Sequence, residues 1–295
     1  MKQGIMKRRI WLPGLFLSPL LLVLVIFLIG LVTGILQSFG YAPVFGLTEF
    51  TVAYFQDVLS QPSLLTSIGI SLYVSLVSAG ISTVLAVLLC FALVSLKKNH
   101  GPLAAILRIP MFIPWVVTGL MMTQLLAGGG WLARLTAAVG LDRISALFAQ
   151  VLYRPNHLGV ILAFVWACTP FACYMIQTVM AQINDTLGEA ATNLGAGRWK
   201  VLWNVTLPLC IPVVRKTFLI LLLSSFGNYE IPKLLGMTMP RALPVEIYYQ
   251  YNHFDLQHRP YAMALNAVML AITMLLAAVV LWTGKCWRKR KGEEI

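Results

Sequence analysis

The sequence predicts an all-α, polytopic membrane protein. Three observations carry that prediction. Of 295 residues, 59% are hydrophobic and only 11% are charged, against about a quarter charged in soluble domains. The mean hydropathy is +0.82. The apolar residues are gathered into six runs, each of a length to cross a bilayer as a helix, which takes about 20 residues. The same composition excludes a disordered chain, and the length leaves no room for a large soluble domain beside the spans.

The first run, Leu15–Leu36, follows a basic start and so resembles a signal peptide. It is too long for a signal core and no small-residue cleavage site follows, so it is expected to be a retained first span. The second, Leu65–Ser95, exceeds one perpendicular crossing and must tilt or extend into water. The third, Ile109–Ala127, carries Pro110 and Pro114 near its start. The fourth, Leu158–Ala181, has Pro170 within it, and the fifth and sixth are Val213–Tyr229 and Tyr261–Trp282. Each is expected to be helical, because hydrocarbon offers no partner for an open backbone. Kinks at the prolines are tolerated where neighbouring helices satisfy the freed carbonyls.

The loops alternate in charge. One side carries Lys2, Lys7, Arg8 and Arg9, then Lys97, Lys98 and Arg108, then Arg198, Lys200, Arg215 and Lys216, then Lys285, Arg288, Lys289, Arg290 and Lys291. The other side has Arg134, Arg143, Arg154, Lys233, Arg241 and Arg259. The positive-inside rule places the richer side, and with it both termini, in the cytoplasm. The net charge of +12 is thereby a topology signal and not a nucleic-acid footprint. The five cysteines, Cys90, Cys168, Cys173, Cys210 and Cys286, avoid the outside loops and lack zinc-ligand spacing, so they read as small packing residues. His157, His253 and His258 lie in outside loops without ligand spacing, and no metal is assigned to them.

The inside loop 182–212 is too long for a plain connection and is patterned. Thr186 and Glu189 have capping-box spacing and are expected to open a short helix. Leu187, Ala190, Ala191 and Leu194 recur at i, i+3, i+4, i+7 and form one apolar face. Gly195 or Gly197 can end that helix in the left-handed conformation. Trp199, Leu202 and Trp203 form a second amphipathic turn, which Pro208 and Pro212 are expected to stop. Read plainly, this is an interfacial amphipathic helix under the bundle. Read sharply, it is a docking knob whose small residues permit close approach and whose Glu189 offers a charge.

Glu189-Ala190-Ala191, followed by Gly195, Val205, Leu207-Pro208 and Pro212, resembles the EAA loop of permease subunits of binding-protein-dependent ABC importers of type I. The pattern runs over about 24 residues and falls in the inside loop before the last two spans. Val205 stands where isoleucine is common. The resemblance implies a five-span permease core over 65–282, with its EAA loop at 184–212. Residues 1–64 then hold an added N-terminal helix and its outside loop, and 283–295 a basic cytoplasmic tail. It implies a multi-pass protein of the bacterial cytoplasmic (inner) membrane. Two permease subunits form the pathway, a dimer of ABC ATPase subunits receives the EAA helices, and a periplasmic or lipid-anchored binding protein delivers substrate. Glu189, Ala190, Ala191, Gly195, Leu207 and Pro208 are the coupling residues that carry over. ATP belongs to the partner ATPase: no phosphate-cradling Gly-x-x-x-x-Gly-Lys-Ser/Thr loop occurs here, so this chain is a transport subunit without a cofactor and not an enzyme.

Asn193-Leu194-Gly195-Ala196, with the segment Phe226–Gly236, is similar to the branch of that family that moves polyamines, phosphonates, opines, iron and thiamine. A polyamine or another small organic solute of that branch is the expected substrate, with a sugar permease as the alternative. The layout of the first span is similar to the first member of heterodimeric pairs, so a heterodimer is favoured. Polar residues within spans are costly and are pathway candidates. Here these are Thr118, Gln124, Tyr174, Asn228, Glu230 and Asn266, set against the plainer reading that such groups bond across helices. Glu230 would attract a cation, unless it only pairs with Lys233 one turn on. An ion-coupled secondary transporter is the competing class. It would need a coupling-ion site and repeats, and the sequence shows neither a repeat nor a set of intramembrane charges. A membrane-embedded enzyme would need a convergent set of His, Cys and carboxylate residues, which the inside loops lack.

Overall fold

The structure is a computed structural model that describes residues 2–95 and 106–290. Lys97, Lys98 and Lys291 lie outside the described residues, as do the side chains of Lys2, Lys7, Arg8, Arg9, Arg198, Cys286, Arg288, Lys289 and Arg290. Among the described residues six helical stretches are long and apolar enough to cross a membrane: Phe16–Ser38, Pro62–Val94, Trp115–Ala138, Leu158–Asn193, Trp199–Phe226 and Leu256–Lys285. They match the six expected spans in order. The chain divides into two compact units, one of residues up to Gln61 with Tyr249–Val268, the other of Pro62–Tyr248 with the residues from Met269 onward.

In the first unit, α1 (Lys2–Ser38) leads through a turn to α2 (Ala53–Ser60). The turn is stapled by aromatic contacts: Tyr41 stacks on Phe50 at 4.9 Å, and Phe39 meets Phe55 at 5.2 Å. Arg259 lies with its guanidinium carbon 3.9 Å from the Tyr251 ring centroid and 5.9 Å from that of Phe45, so a charge at a span's end is held by ring faces.

The second unit is built on α3 (Pro62–Ser95), α4 (Trp115–Leu126), α5 (Trp131–Ala138), α6 (Asp142–Phe148) and α7 (Leu158–Ile183). The chain then runs through the short helices α8 (Glu189–Asn193) and α9 (Arg198–Val201) into α10 (Leu207–Phe226). It ends with α11 (Glu230–Leu235), α12 (Leu243–Tyr251) and α13 (Arg259–Arg290), of which Tyr249–Val268 belongs to the first unit. α3, α7 and α10 pack on one another and form the core. On α3 the buried face is a stripe of hydroxyls: Ser67, Ser71, Ser75, Ser78 and Ser82 are at most 4% exposed. Their spacing of three and four puts them on one side of the helix, where small side chains let a neighbour approach. Ser78 and Thr83 return their hydroxyls to the carbonyls of Val74 and Ala79. Ser71 accepts the backbone N–H of Leu243 at 2.8 Å, which ties α3 to the start of α12. Cys90, Cys168, Cys173 and Cys210 are buried free thiols, and Cys90 meets Cys173 across the α3–α7 contact with the sulfurs 3.2 Å apart.

Two spans differ from expectation. The helix expected over 109–127 is α-helical only from Trp115, because Pro110 and Pro114 interrupt it: Ile109–Phe112 is a 3-10 turn, and Ile113 and Pro114 are extended. The fifth span does not begin at Val213. One helical rod runs from Arg198 to Phe226 and then stops at Gly227.

Candidate functional site

Residues 184–206 form the first candidate site. α7 does not end at Ile183; it passes through a π-turn, Asn184–Gly188, directly into α8. Thr186 is therefore no N-cap. Its hydroxyl bonds back to the carbonyl of Gln182 at 2.9 Å, and the residues around it keep helical dihedrals. The capping-box spacing misled because Ser and Thr inside a helix satisfy themselves on the preceding turn. The expected stop at Gly195 is present. Its φ of +87° is left-handed, the N–H of Gly195 reaches the carbonyl of Thr192 at 2.9 Å, and that of Ala196 reaches Ala191 at 3.1 Å. That bond pair is a Schellman cap.

The returning arm, α9, passes through a second π-turn, Leu202–Thr206, into α10. Pro208 sits in the first turn of α10 and does not stop the rod, in contrast to expectation. Proline lacks an N–H to bond one turn back, and the wider turn ahead of it accommodates that loss. Gly188 is buried at the crossing of the two arms, where a Cβ would lie 3.4 Å from Val201.

The hairpin leaves the expected apolar face open. Leu194 is 89% exposed, Leu187 is 51% exposed, and Ala190 is exposed beside them. Glu189 is exposed on the same helix, Ala191 is half-buried, and Leu207 and Pro208 are half-buried on the other arm. Trp199 rests its ring 5.3 Å from that of Phe91 on α3, which ties the returning arm to the bundle.

The second candidate site lies at mid-height. Cys168, ten residues into α7, has its sulfur 4.0 Å from the hydroxyl of Ser225, the penultimate residue of α10. Ten residues of helix rise about 15 Å, half of a roughly 30 Å hydrocarbon core. α10 thus ends about 15 Å along α7. α11 continues the climb beside the first turns of α7, and the Leu235 carbonyl accepts the N–H of Tyr153 at 3.1 Å, just before α7 begins. α4 also begins at mid-height, with Trp115 edge-on to Phe164 at 5.9 Å. Both broken spans open on one cavity of about 210 Å³, lined by Pro110, Ile113, Trp115, Cys168, Phe171 and Ser224 among others. α4 and α11 meet closely: a Cβ on Gly119 would lie 2.6 Å from Leu234.

The six expected pathway residues fall on several elements. Thr118 is fully buried on α4, with no hydrogen-bond partner for its hydroxyl. Gln124 is exposed towards the end of α4. Tyr174 faces Arg108, whose guanidinium carbon is 5.3 Å from the ring centroid. Asn266 falls in the other unit. Asn228 and Glu230 flank the break after α10. Asn228 accepts the N–H of Ile231 at 3.0 Å and so caps α11, while Glu230 is half-buried in its first turn, where the helix dipole favours a carboxylate. Lys233 lies with its ammonium 3.9 Å from the Tyr248 ring centroid, over a Tyr229–Tyr248 stack. Sequence reasoning missed the mid-height cavity, although Pro110 and Pro114 were its signal.

Asn228 instead joins His157, Ser71 and Ser225 around a space of about 10 Å³. His157 has a left-handed φ of +50° at the mouth of α7, and burial lowers its imidazole pKa from the ordinary value.

Six spans, two of them broken at one level, with a capped hairpin left open at one end, define the membrane subunit of a transporter. Residues 98–284 match the family described as "Binding-protein-dependent transport system inner membrane component", and the chain belongs to that family. It is 28% identical over 252 residues to "Sulfate permease 2, chloroplastic" of Chlamydomonas reinhardtii, covering 81% of this chain but only 60% of that protein. To the "Sulfate transport system permease protein CysT" of Salmonella typhimurium it is 24% identical over 280 residues, 92% of this chain and 93% of that one. In fold it is similar to a chain of a bacterial alginate ABC transporter crystallised with an alginate pentasaccharide-bound periplasmic protein. The TM-score is 0.76 at 20% identity, over 98% of both chains. The chain is a multi-pass permease of the ABC importer class and not an enzyme.

Proposed function

We propose that this chain forms one half of the translocation pathway of an ABC importer and couples it, through the hairpin 184–206, to a partner ATPase. The open apolar face around α8 carries this reading: Leu187, in the π-turn before it, and Leu194, its C-cap, are exposed, and the stop after them is tightly built. A receiving cleft on each of two ATPase subunits is the occupant that fits, with Glu189, Ala190, Ala191 and Gly195 at the contact and Leu207 and Pro208 setting the return arm. Motion of the hairpin passes along two unbroken rods, α7 and the 198–226 helix, to the breaks at mid-height. There a second permease, by the sequence reading a different chain, completes the pathway, and a periplasmic or lipid-anchored binding protein delivers substrate.

For the substrate, the relatives named sulfate permeases favour a small oxyanion over the polyamine read from the sequence. A half-buried Glu230 fits that assignment as a helix-end residue and not as a substrate contact. The test is uptake by proteoliposomes holding this chain with the second permease, ATPase and binding protein of its own operon, with sulfate and spermidine as separate arms. ATP-dependent sulfate uptake is expected, lost when Gly195 is replaced by a bulky residue although the protein still inserts. Spermidine uptake would restore the polyamine reading, and wild-type transport by both Gly195→Trp and Glu189→Ala would reduce the hairpin to a connector.

A further inference from the structure

We propose that the groove between α10 and the end of α13 binds the phosphate headgroup of an anionic phospholipid. The groove encloses about 160 Å³, with Pro212 and Leu219 on one wall, Val280 and Leu281 on the other, and Arg215 and Lys216 as its two charges. No carboxylate lines it among the described residues. A basic pocket between spanning helices is the kind of site that holds an acidic lipid headgroup.

Four details favour a lipid. The Arg215 guanidinium is held in place, donating to the hydroxyl of Thr283 at 3.0 Å. A guanidinium has five N–H donors in a fixed fork, so most remain for a phosphate, which it grips two-pronged. Space for the headgroup comes from Gly284, where even a Cβ would stand 3.5 Å from the Arg215 guanidinium carbon. The depth is also that of a headgroup: Thr283 and Gly284 lie between Trp282, which is 68% exposed, and the basic run that starts at Lys285. Trp followed by Lys and Arg is the signature of a membrane interface. The hydrocarbon walls, with Leu281 59% exposed, extend the groove toward acyl chains, which a free phosphate would not use.

The test is native mass spectrometry of the assembled transporter released from mixed phosphatidylglycerol and phosphatidylcholine micelles. Wild type is expected to retain phosphatidylglycerol. Arg215→Gln with Lys216→Gln is expected to weaken that retention roughly tenfold or more, the loss of two interfacial charges, with phosphatidylcholine unaffected. Arg215→Lys with Lys216→Arg should keep most of it. Gly284→Leu fills the groove without changing charge and should also release the lipid; it decides the matter if the charge variant fails to assemble. Phosphatidylglycerol retained equally by wild type and Gly284→Leu overturns the site. So does displacement by inorganic phosphate alone, which would make the groove a free-anion site.

Discussion

Gly195 is the residue on which the hairpin turns. Its φ is +87° and nothing lies within 4 Å of where a Cβ would be. The penalty for a side chain there is thus conformational and not steric. Gly195→Ala should cost about 1 kcal/mol, and a β-branched Gly195→Val more. The expected readout is a graded loss of ATPase recruitment, Ala before Val, at equal membrane level. His157 gives a pH test. Its folded pKa lies below the ordinary 6.5, so the unfolded chain takes up the proton first. Stability is then full above about pH 6.5 and falls as pH drops from there towards the folded pKa. Among the described residues no charged side chain lines its cavity to offset this. His157→Asn keeps a residue type that accepts the left-handed backbone and removes the titration. Thermal unfolding of the purified protein should lose stability on acidification in wild type and markedly less in the variant. Glu230 separates the substrate readings. Glu230→Gln should leave uptake of an oxyanion unchanged or raised, and should lower uptake only if the substrate is a cation.

At the scale of elements, the apolar face of the hairpin was legible because Leu187, Ala190, Ala191 and Leu194 keep helical spacing whichever helix they belong to. What stayed hidden was continuity. Thr186 and Pro208 each read as a boundary, and in each case a π-turn carries the helix through. A π-turn has no strong residue signature, so local chemistry could not reveal it. The same blindness hid the mid-height breaks: hydropathy averages over Ile109–Ala127 and reports a span whether or not Pro110 and Pro114 let it be a helix. If α8 is the docking element, the exposed leucines that flank it carry the contact. A buried leucine contributes about 1.5–3 kcal/mol. Leu194→Asp should therefore weaken association with the ATPase by at least about tenfold in co-purification, whereas Asp in place of the anchoring Trp199 should first loosen the hairpin from Phe91. Retained ATPase binding by Leu194→Asp would place the docking face elsewhere.

For the whole molecule the strongest long-range signal is charge. Sixteen of the 22 basic residues fall on alternate loops, and the six helical stretches give an even number of crossings among the described residues. An even number is expected to put both ends on one side, and the basic excess argues that this side is the cytoplasm. On that expectation the hairpin lies on the cytoplasmic side, and the breaks in the third and fifth spans fall within the hydrocarbon. Backbone that leaves the helix at that depth is tolerated only where protein or a water-filled cavity covers it. Phe112 at the first break is 82% exposed in the single chain, and under the proposed function a second permease covers it. Reporter fusions at Ala196 and Lys291 should score as cytoplasmic, and those at Gly140 and Asn252 as periplasmic. Cysteines at Phe112 should resist a water-soluble thiol reagent in the assembled importer and react when the second permease is omitted. A cytoplasmic score at Gly140 would break the topology. Equal labelling of Phe112→Cys with and without the partner would mean that the broken spans are covered by lipid or by this chain itself, and the pathway would then have to be sought away from the mid-height cavity.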